Sequence, residues 1–94
     1  MNIISRKTIT EFGKKYPDAI KPLLSWYHEA CTADWKTSQD IKDRYRTASF
    51  LSSNLVIFNI KGNKYRLVTK VAYKIKTVFI KWIGTHSEYD KQEF

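Results

Sequence analysis

The chain has 94 residues, 43% hydrophobic and 15% aromatic, which is enough for one small core and argues against disorder over most of its length. Seventeen Lys and Arg against nine Asp and Glu leave a formal net charge of +8. Cys31 is the only cysteine, which excludes an internal disulfide, and one Cys with two distant His argues against a structural zinc site.

Residues 2–4, Asn-Ile-Ile, read as a short first strand. Ser5 offers an N-cap, and Ile9, Phe12 and Tyr16 recur at helical spacing, with Gly13 weakening the end of that helix. Pro17 suits the first position of a second helix, with Asp18 in its positive first turn. Ile20, Leu23, Leu24, Tyr27, Ala30 and Cys31 then form an apolar stripe, so residues 17–32 are expected as one amphipathic helix that buries the Cys31 thiol. A short helix is expected near 38–44, capped by Thr37 or Ser38, and 47–53 reads as loop.

After Asn54 the pattern becomes β. Leu55–Ile60 is one strand, Lys61-Gly62-Asn63 a turn in which Gly and Asn supply positive φ, Lys64–Tyr73 a second strand and Thr77–Ile83 a third. The order β-α-α-(α)-β-β-β predicts an α+β fold: a small antiparallel-dominated sheet with two to three helices on one face and a short C-terminal segment. Alternation along the middle strand sets Tyr65, Leu67, Thr69, Val71 and Tyr73 toward the helices, and Lys64, Arg66, Val68, Lys70 and Ala72 away from them. In the next strand Val78, Ile80 and Trp82 are expected on one side, and Thr77, Phe79, Lys81 and Ile83 on the other.

Charge sharpens the functional reading. Between Asp43 and Glu88 lie Arg44, Arg46, Lys61, Lys64, Arg66, Lys70, Lys74, Lys76 and Lys81, with no carboxylate among them. Such a segment favours a polyanion, because each phosphate contact releases condensed counterions. If Gly84 ends the last strand, residues 86–91 fold over the charged face and wall a groove floored by Arg66. There Arg66 grips a phosphodiester's non-bridging oxygens. His86 is the best proton-transfer group for neutral pH. Tyr89 stacks on a base or joins proton transfer. Lys64, Lys70 and Lys91 hold flanking phosphates, joined by Lys81. No metal or other cofactor is required if the nucleophile is RNA's own 2′-OH. The plainer alternatives are a basic module that binds RNA without cutting it, and a protein that only pairs with an acidic partner. A DNA reader is disfavoured, since no helix-turn-helix spacing is present. His28 reads as a helix-surface residue, and Trp26, Trp35 and Trp82 as core or interface anchors.

The segments ADWKTSQDIKDRY (33–45), NLVIFNIKGNKYRLVTKVAY (54–73) and FIKWIGTHSEYDK (79–91) resemble the HigB toxin family, a branch of the RelE-like toxins of type II toxin–antitoxin systems. The resemblance spans nearly the whole chain, as a single toxin domain over 1–94. It implies a ribosome-dependent mRNA endonuclease, an mRNA interferase that inhibits translation, partnered by a HigA-like helix-turn-helix antitoxin. Operator DNA would be bound only through the toxin–antitoxin complex. Arg66 in KYRL matches the position of a phosphate-binding arginine on a central strand, and His86 and Tyr89 in THSEYDK match the motif bordering the active site. No apolar run approaches the roughly 20 residues that span a bilayer, and the first residues lack a signal peptide's apolar stretch. No membrane association and a cytoplasmic location are therefore expected.

Overall fold

The computed structural model describes all 94 residues. In chain order they form β1 (Asn2–Ile4), α1 (Arg6–Lys15), a 3-10 turn (Pro17–Ala19), α2 (Ile20–Thr32), α3 (Ser38–Arg44), β2 (Ser49–Leu51), β3 (Leu55–Ile60), β4 (Tyr65–Ala72), β5 (Thr77–Thr85) and α4 (His86–Asp90). The five strands make one sheet in the order β1-β5-β4-β3-β2. All its pairings are antiparallel except β1 with β5. This is the α+β, antiparallel-dominated RelE-like arrangement expected from the sequence.

Several local departures have physical causes. Residues 17–32 are not one helix. Pro22 has no N–H to give the Asp18 carbonyl, so an α-helix running from 17 would lose an interior bond. The chain instead makes a 3-10 turn over Pro17–Ala19 and restarts at Ile20, which leaves Pro22 in a first turn whose N–H groups are free in any case. Gly13 does not end α1, which runs on to Lys15; a Cβ there would lie 2.6 Å from Ile20 Cδ1, so the missing side chain admits the neighbouring segment. α3 starts where expected. The Thr37 hydroxyl accepts the Asp40 N–H, and the Asp40 carboxylate accepts the N–H groups of Thr37 and Lys36 at 3.1 and 2.8 Å. Residues 49–51, expected as loop, form β2 by pairing with Leu55–Ile57 of β3. In the β3–β4 turn the left-handed residues are Lys61 and Gly62, not Gly62 and Asn63.

The core lies between the helices and one sheet face. Ile9, Ala19, Leu23, Trp26, Ala30 and Ile41 meet Val56, Phe58, Ile60, Tyr65, Leu67, Val71 and Val78, all buried. The buried stripe of α2 is rotated from the expected one because Trp26 takes the central place, its ring centroid 5.2 Å from that of Phe58. Ile20, Leu24 and Tyr27 move to the rim, and Cys31 is exposed rather than buried. Thr69 is buried with its hydroxyl donating to the Val56 carbonyl at 2.9 Å.

The face away from the helices carries Arg66, Val68, Lys70 and Phe79 as alternation predicts, but Trp82 and Ile83 are exchanged. The β4–β5 register passes from Val68↔Trp82 to Thr69↔Ile80, which leaves Lys81 unpaired in a bulge. The extra residue exchanges the faces of everything after it. Ile83 turns to the core side, while Trp82 and Gly84 join Phe79, Arg66, Val68 and Lys70 on the open face. That face is therefore apolar at its centre, with Ile57 and Val68 buried in it, and positively charged only at Arg66, Lys70 and the bulged Lys81.

Candidate active site

α4 is built by its first residues. The Thr85 hydroxyl accepts the Glu88 N–H at 3.1 Å, and the Glu88 carboxylate accepts the Thr85 N–H at 2.9 Å. That backbone bond holds the Glu88 carboxyl below the usual glutamate range. The His86 N–H donates to the Lys64 carbonyl at 3.1 Å, fixing the start of α4 against the end of the β3–β4 turn. Residues expected only as a folded-over segment are thus a helical turn with a defined anchor.

Within that turn His86, Tyr89 and Asp90 are spaced i, i+3 and i+4, and share one side. His86 Nε2 lies 3.3 Å from Asp90 Oδ2. Tyr89 reaches the sheet: its ring centroid is 6.2 Å from that of Trp82, and the Arg66 guanidinium carbon sits 5.8 Å from it. Arg66 is half-buried in β4, and its Nη1 donates to Asn63 Oδ1 at 3.2 Å. It has no carboxylate partner. Its cross-strand neighbour on β5 is Gly84, and the place a side chain would occupy there is filled by the indole of Trp82. The structure thus brings Arg66 and Tyr89 together, and puts the backbone of His86 on the residue two positions before Arg66.

The lysines separate into two groups. Lys70 is exposed on the open face, across from Leu55 and Phe79. Lys81 is exposed at the bulge with its Nζ 5.7 Å from the Phe79 ring centroid, and Lys91 is exposed at the end of α4. Lys64 is different. It belongs to the turn before β4 and bonds Asp18 at 2.5 Å on the helix side, together with Lys61 at 3.0 Å and the Tyr65 hydroxyl at 2.5 Å. Lys64, then Tyr65 and Lys61, hold the Asp18 carboxyl well below the usual range, and Asp18 in turn raises Lys64.

Asp18 is one of three acids from the first half of the chain that neutralise the acid-free segment. Glu29 pairs with Arg44, and Asp34 with Lys76. Of the nine cations between residues 44 and 87, Arg44, Lys61, Lys64 and Lys76 are paired, leaving Arg46, Arg66, Lys70, Lys74 and Lys81. The field is therefore narrower than the sequence suggests, and three of those five cations lie on the face that carries Tyr89. Nowhere do three or more His, Cys, Asp or Glu side chains gather as a metal site would require. No helix is long and apolar enough to cross a membrane.

Two features of the site go beyond the residues expected from the sequence. Asp90 was readable as the i+4 partner of His86. The clustering of Trp82 with Tyr89 and Phe94 was not, because it depends on the bulge.

Residues 19–92 match the family model described as HigB toxin, RelE-like toxic component of a toxin-antitoxin system. The chain belongs to the HigB toxin family. The family gives it a place as the toxic component of such a pair, and hence an antitoxin partner. Among curated relatives it is 27% identical to the mRNA interferase HigB of Escherichia coli O6:H1, over 97% of this chain and 90% of that protein. It is 26% identical to the mRNA interferase toxin HigB of Escherichia coli K12 and to the mRNA interferase HigB of Shigella flexneri, in each case over 96% of this chain and 88% of the relative.

Proposed function

We propose that this HigB-family chain is an mRNA interferase: an endoribonuclease that cuts mRNA on the ribosome, in one domain spanning residues 1–94. The observation that carries the reading is Arg66, a guanidinium on a central strand with no carboxylate partner, held against the Tyr89 ring beside the anchored start of α4. An arginine without a carboxylate partner is free to take an anion from outside, and its fork fits two non-bridging phosphate oxygens.

The reaction is an in-line displacement. The 2′-oxygen attacks the adjacent phosphorus as its proton passes to a base, the bond from phosphorus to the 5′-oxygen breaks, and that oxygen takes up a proton. The products are a 2′,3′-cyclic phosphate and a 5′-hydroxyl. Arg66 stabilises the charge that develops on the phosphoryl oxygens. His86 transfers a proton, with the Asp90 carboxylate 3.3 Å from its Nε2. Tyr89 backs the Arg66 guanidinium with its ring and offers its hydroxyl to the RNA as a hydrogen-bond donor. Lys70, Lys81 and Lys91 take flanking phosphates. Lys64 joins them only by exchanging Asp18 for phosphate.

The chain offers few acid–base groups at this face, and the ribosome is the second surface that positions the 2′-oxygen in line. The toxin's partner in this reading is a HigA-like helix-turn-helix antitoxin, through which alone the pair meets operator DNA. The location is cytoplasmic, with no membrane involvement.

The test is cleavage of ribosome-bound mRNA by the wild-type chain and by Arg66→Ala and His86→Ala, with growth arrest scored in parallel. Arg66→Ala is expected to lower the cleavage rate by about 10²–10³-fold, as loss of one oxyanion donor does. Near-full activity of His86→Ala removes His86 from the catalytic set. RNA bound but left intact by the wild type returns the chain to a non-catalytic binding module.

A further inference from the structure

Beside Arg66 the open face carries three aromatic rings that the core does not use. Phe94 stacks on Tyr89 with centroids 5.6 Å apart and planes 16° from parallel, and Trp82 lies 5.7 Å from Phe94 and 6.2 Å from Tyr89. Despite these two ring contacts Phe94 remains 45% exposed, and Trp82 is only half-buried. Trp26 and Trp35, by contrast, are 2% and 5% exposed. The cluster is therefore not an extension of the core: it ends in an open aromatic surface. Arg66 borders the cluster at Tyr89, and Lys81 directly precedes Trp82 in β5; neither has a carboxylate partner, whereas Lys61 and Lys64 on the helix side are satisfied by Asp18. An aromatic surface bordered by free cations is the arrangement that takes unpaired bases of a single strand, with rings for the bases and cations for the backbone.

We propose that Phe94, seated on Tyr89 and Trp82, is a stacking platform for one unpaired RNA base next to the phosphate held by Arg66. This rests on the nuclease reading and adds to it a base-binding residue outside the THSEYDK motif. Phe94 acts by its π face. A tyrosine can replace it and a leucine of similar bulk cannot. It contacts the base, not the reacting atoms, so its effect appears in how much toxin is needed and in which nucleotide flanks the cut.

The experiment measures cleavage on programmed ribosomes against toxin concentration, for the wild type, Phe94→Ala, Phe94→Leu and Phe94→Tyr. Each is tested on mRNA carrying an abasic nucleotide at one or other position flanking the cut. Phe94→Ala and Phe94→Leu are expected to raise the half-saturating concentration by about 5- to 140-fold, the range that loss of one base–aromatic stack produces. Phe94→Tyr restores it. On one of the two abasic messages the penalty of Phe94→Ala disappears, because the base it served is gone. An unchanged requirement in Phe94→Ala, full rescue by leucine, or a penalty that persists on both abasic messages overturns the platform while leaving the nuclease intact. Weakened antitoxin neutralisation with unaltered cleavage also overturns it, and assigns the rings to the protein partner. Absence of cleavage by the wild type on intact message refutes the nuclease reading itself, together with the platform that depends on it.

Discussion

Replacing Gly84 with alanine puts a methyl group where the indole of Trp82 lies. The strand cannot retreat, because Gly84 is held in register with Arg66 on β4. The indole must move instead, and its half-exposed position lets it swing outward. In doing so it gives up its contacts with Tyr89 and Phe94, at 6.2 and 5.7 Å. Each aromatic pair is worth about 0.5–1.5 kcal/mol beyond area burial, so the loss is about 1–3 kcal/mol. Alanine in a strand regains about 0.5–1 kcal/mol over glycine by restricting the unfolded chain. The net destabilisation is about 0–2.5 kcal/mol, which lowers Tm by up to about 20 °C in a domain of this size. The assay is thermal melting together with tryptophan emission and quenching by acrylamide. Trp26 and Trp35 are buried, so the accessible part of the signal belongs to Trp82. A red-shifted, more quenchable emission with a lowered Tm is expected. Unchanged Tm and emission would refute the seating of the indole on Gly84, and with it the position of the bulge that puts Trp82 on this face.

Further expectations follow from the same geometry. Asp18→Asn destabilises the fold, because it removes the charge shared by Lys64, Lys61 and Tyr65. The Asp18 carboxyl titrates lower folded than unfolded, so its contribution is present above the ordinary aspartate value of 3.8 and is lost as pH falls below it. Melts of the two proteins should therefore differ at neutral pH and converge in acid. Thr85→Ala removes the acceptor for the Glu88 N–H, which costs about 0.5–2 kcal/mol in folded stability as cap losses do, and cleavage should fall further than stability because α4 carries His86 and Tyr89. Among the lysines, Lys81→Ala should flatten the slope of log affinity against log salt by about 0.7, one single-strand phosphate contact, and Lys64→Ala by less. Equal slopes for the two would show that Asp18 does not hold Lys64 back.

The sequence showed most of the scaffold because its elements are locally determined. The cap of α3, expected at Thr37 or Ser38 and found at Thr37, the strand Leu55–Ile60 and the turn at Gly62 all depend on residues within a few positions of each other. The departures arose where distant or single-residue effects decide. Residues 49–51 are a strand only because β3 presents an edge to them, and Pro22 breaks a helix whose apolar periodicity runs straight through it. The site was legible in part. Arg66 and the 86–91 segment were identified by type and spacing, and they come together around Tyr89. Lys64 was placed on the open face by alternation, but Asp18, remote in sequence, holds it on the other side. The aromatic cluster was hidden because one unpaired residue, Lys81, reverses the faces of Trp82, Ile83 and Gly84, and no local pattern marks that bulge.

In the proposed reaction Arg66 holds the scissile phosphate of mRNA. The most direct measurement maps the 5′ ends of mRNA after induction of the wild type or Arg66→Ala at matched protein levels, with the chemistry of the new ends determined. New 5′-hydroxyl ends within translated regions, paired with 2′,3′-cyclic phosphates, are expected in the wild type, and their near-disappearance in a folded Arg66→Ala protein. Equal cleavage by the two proteins would contradict this role of Arg66.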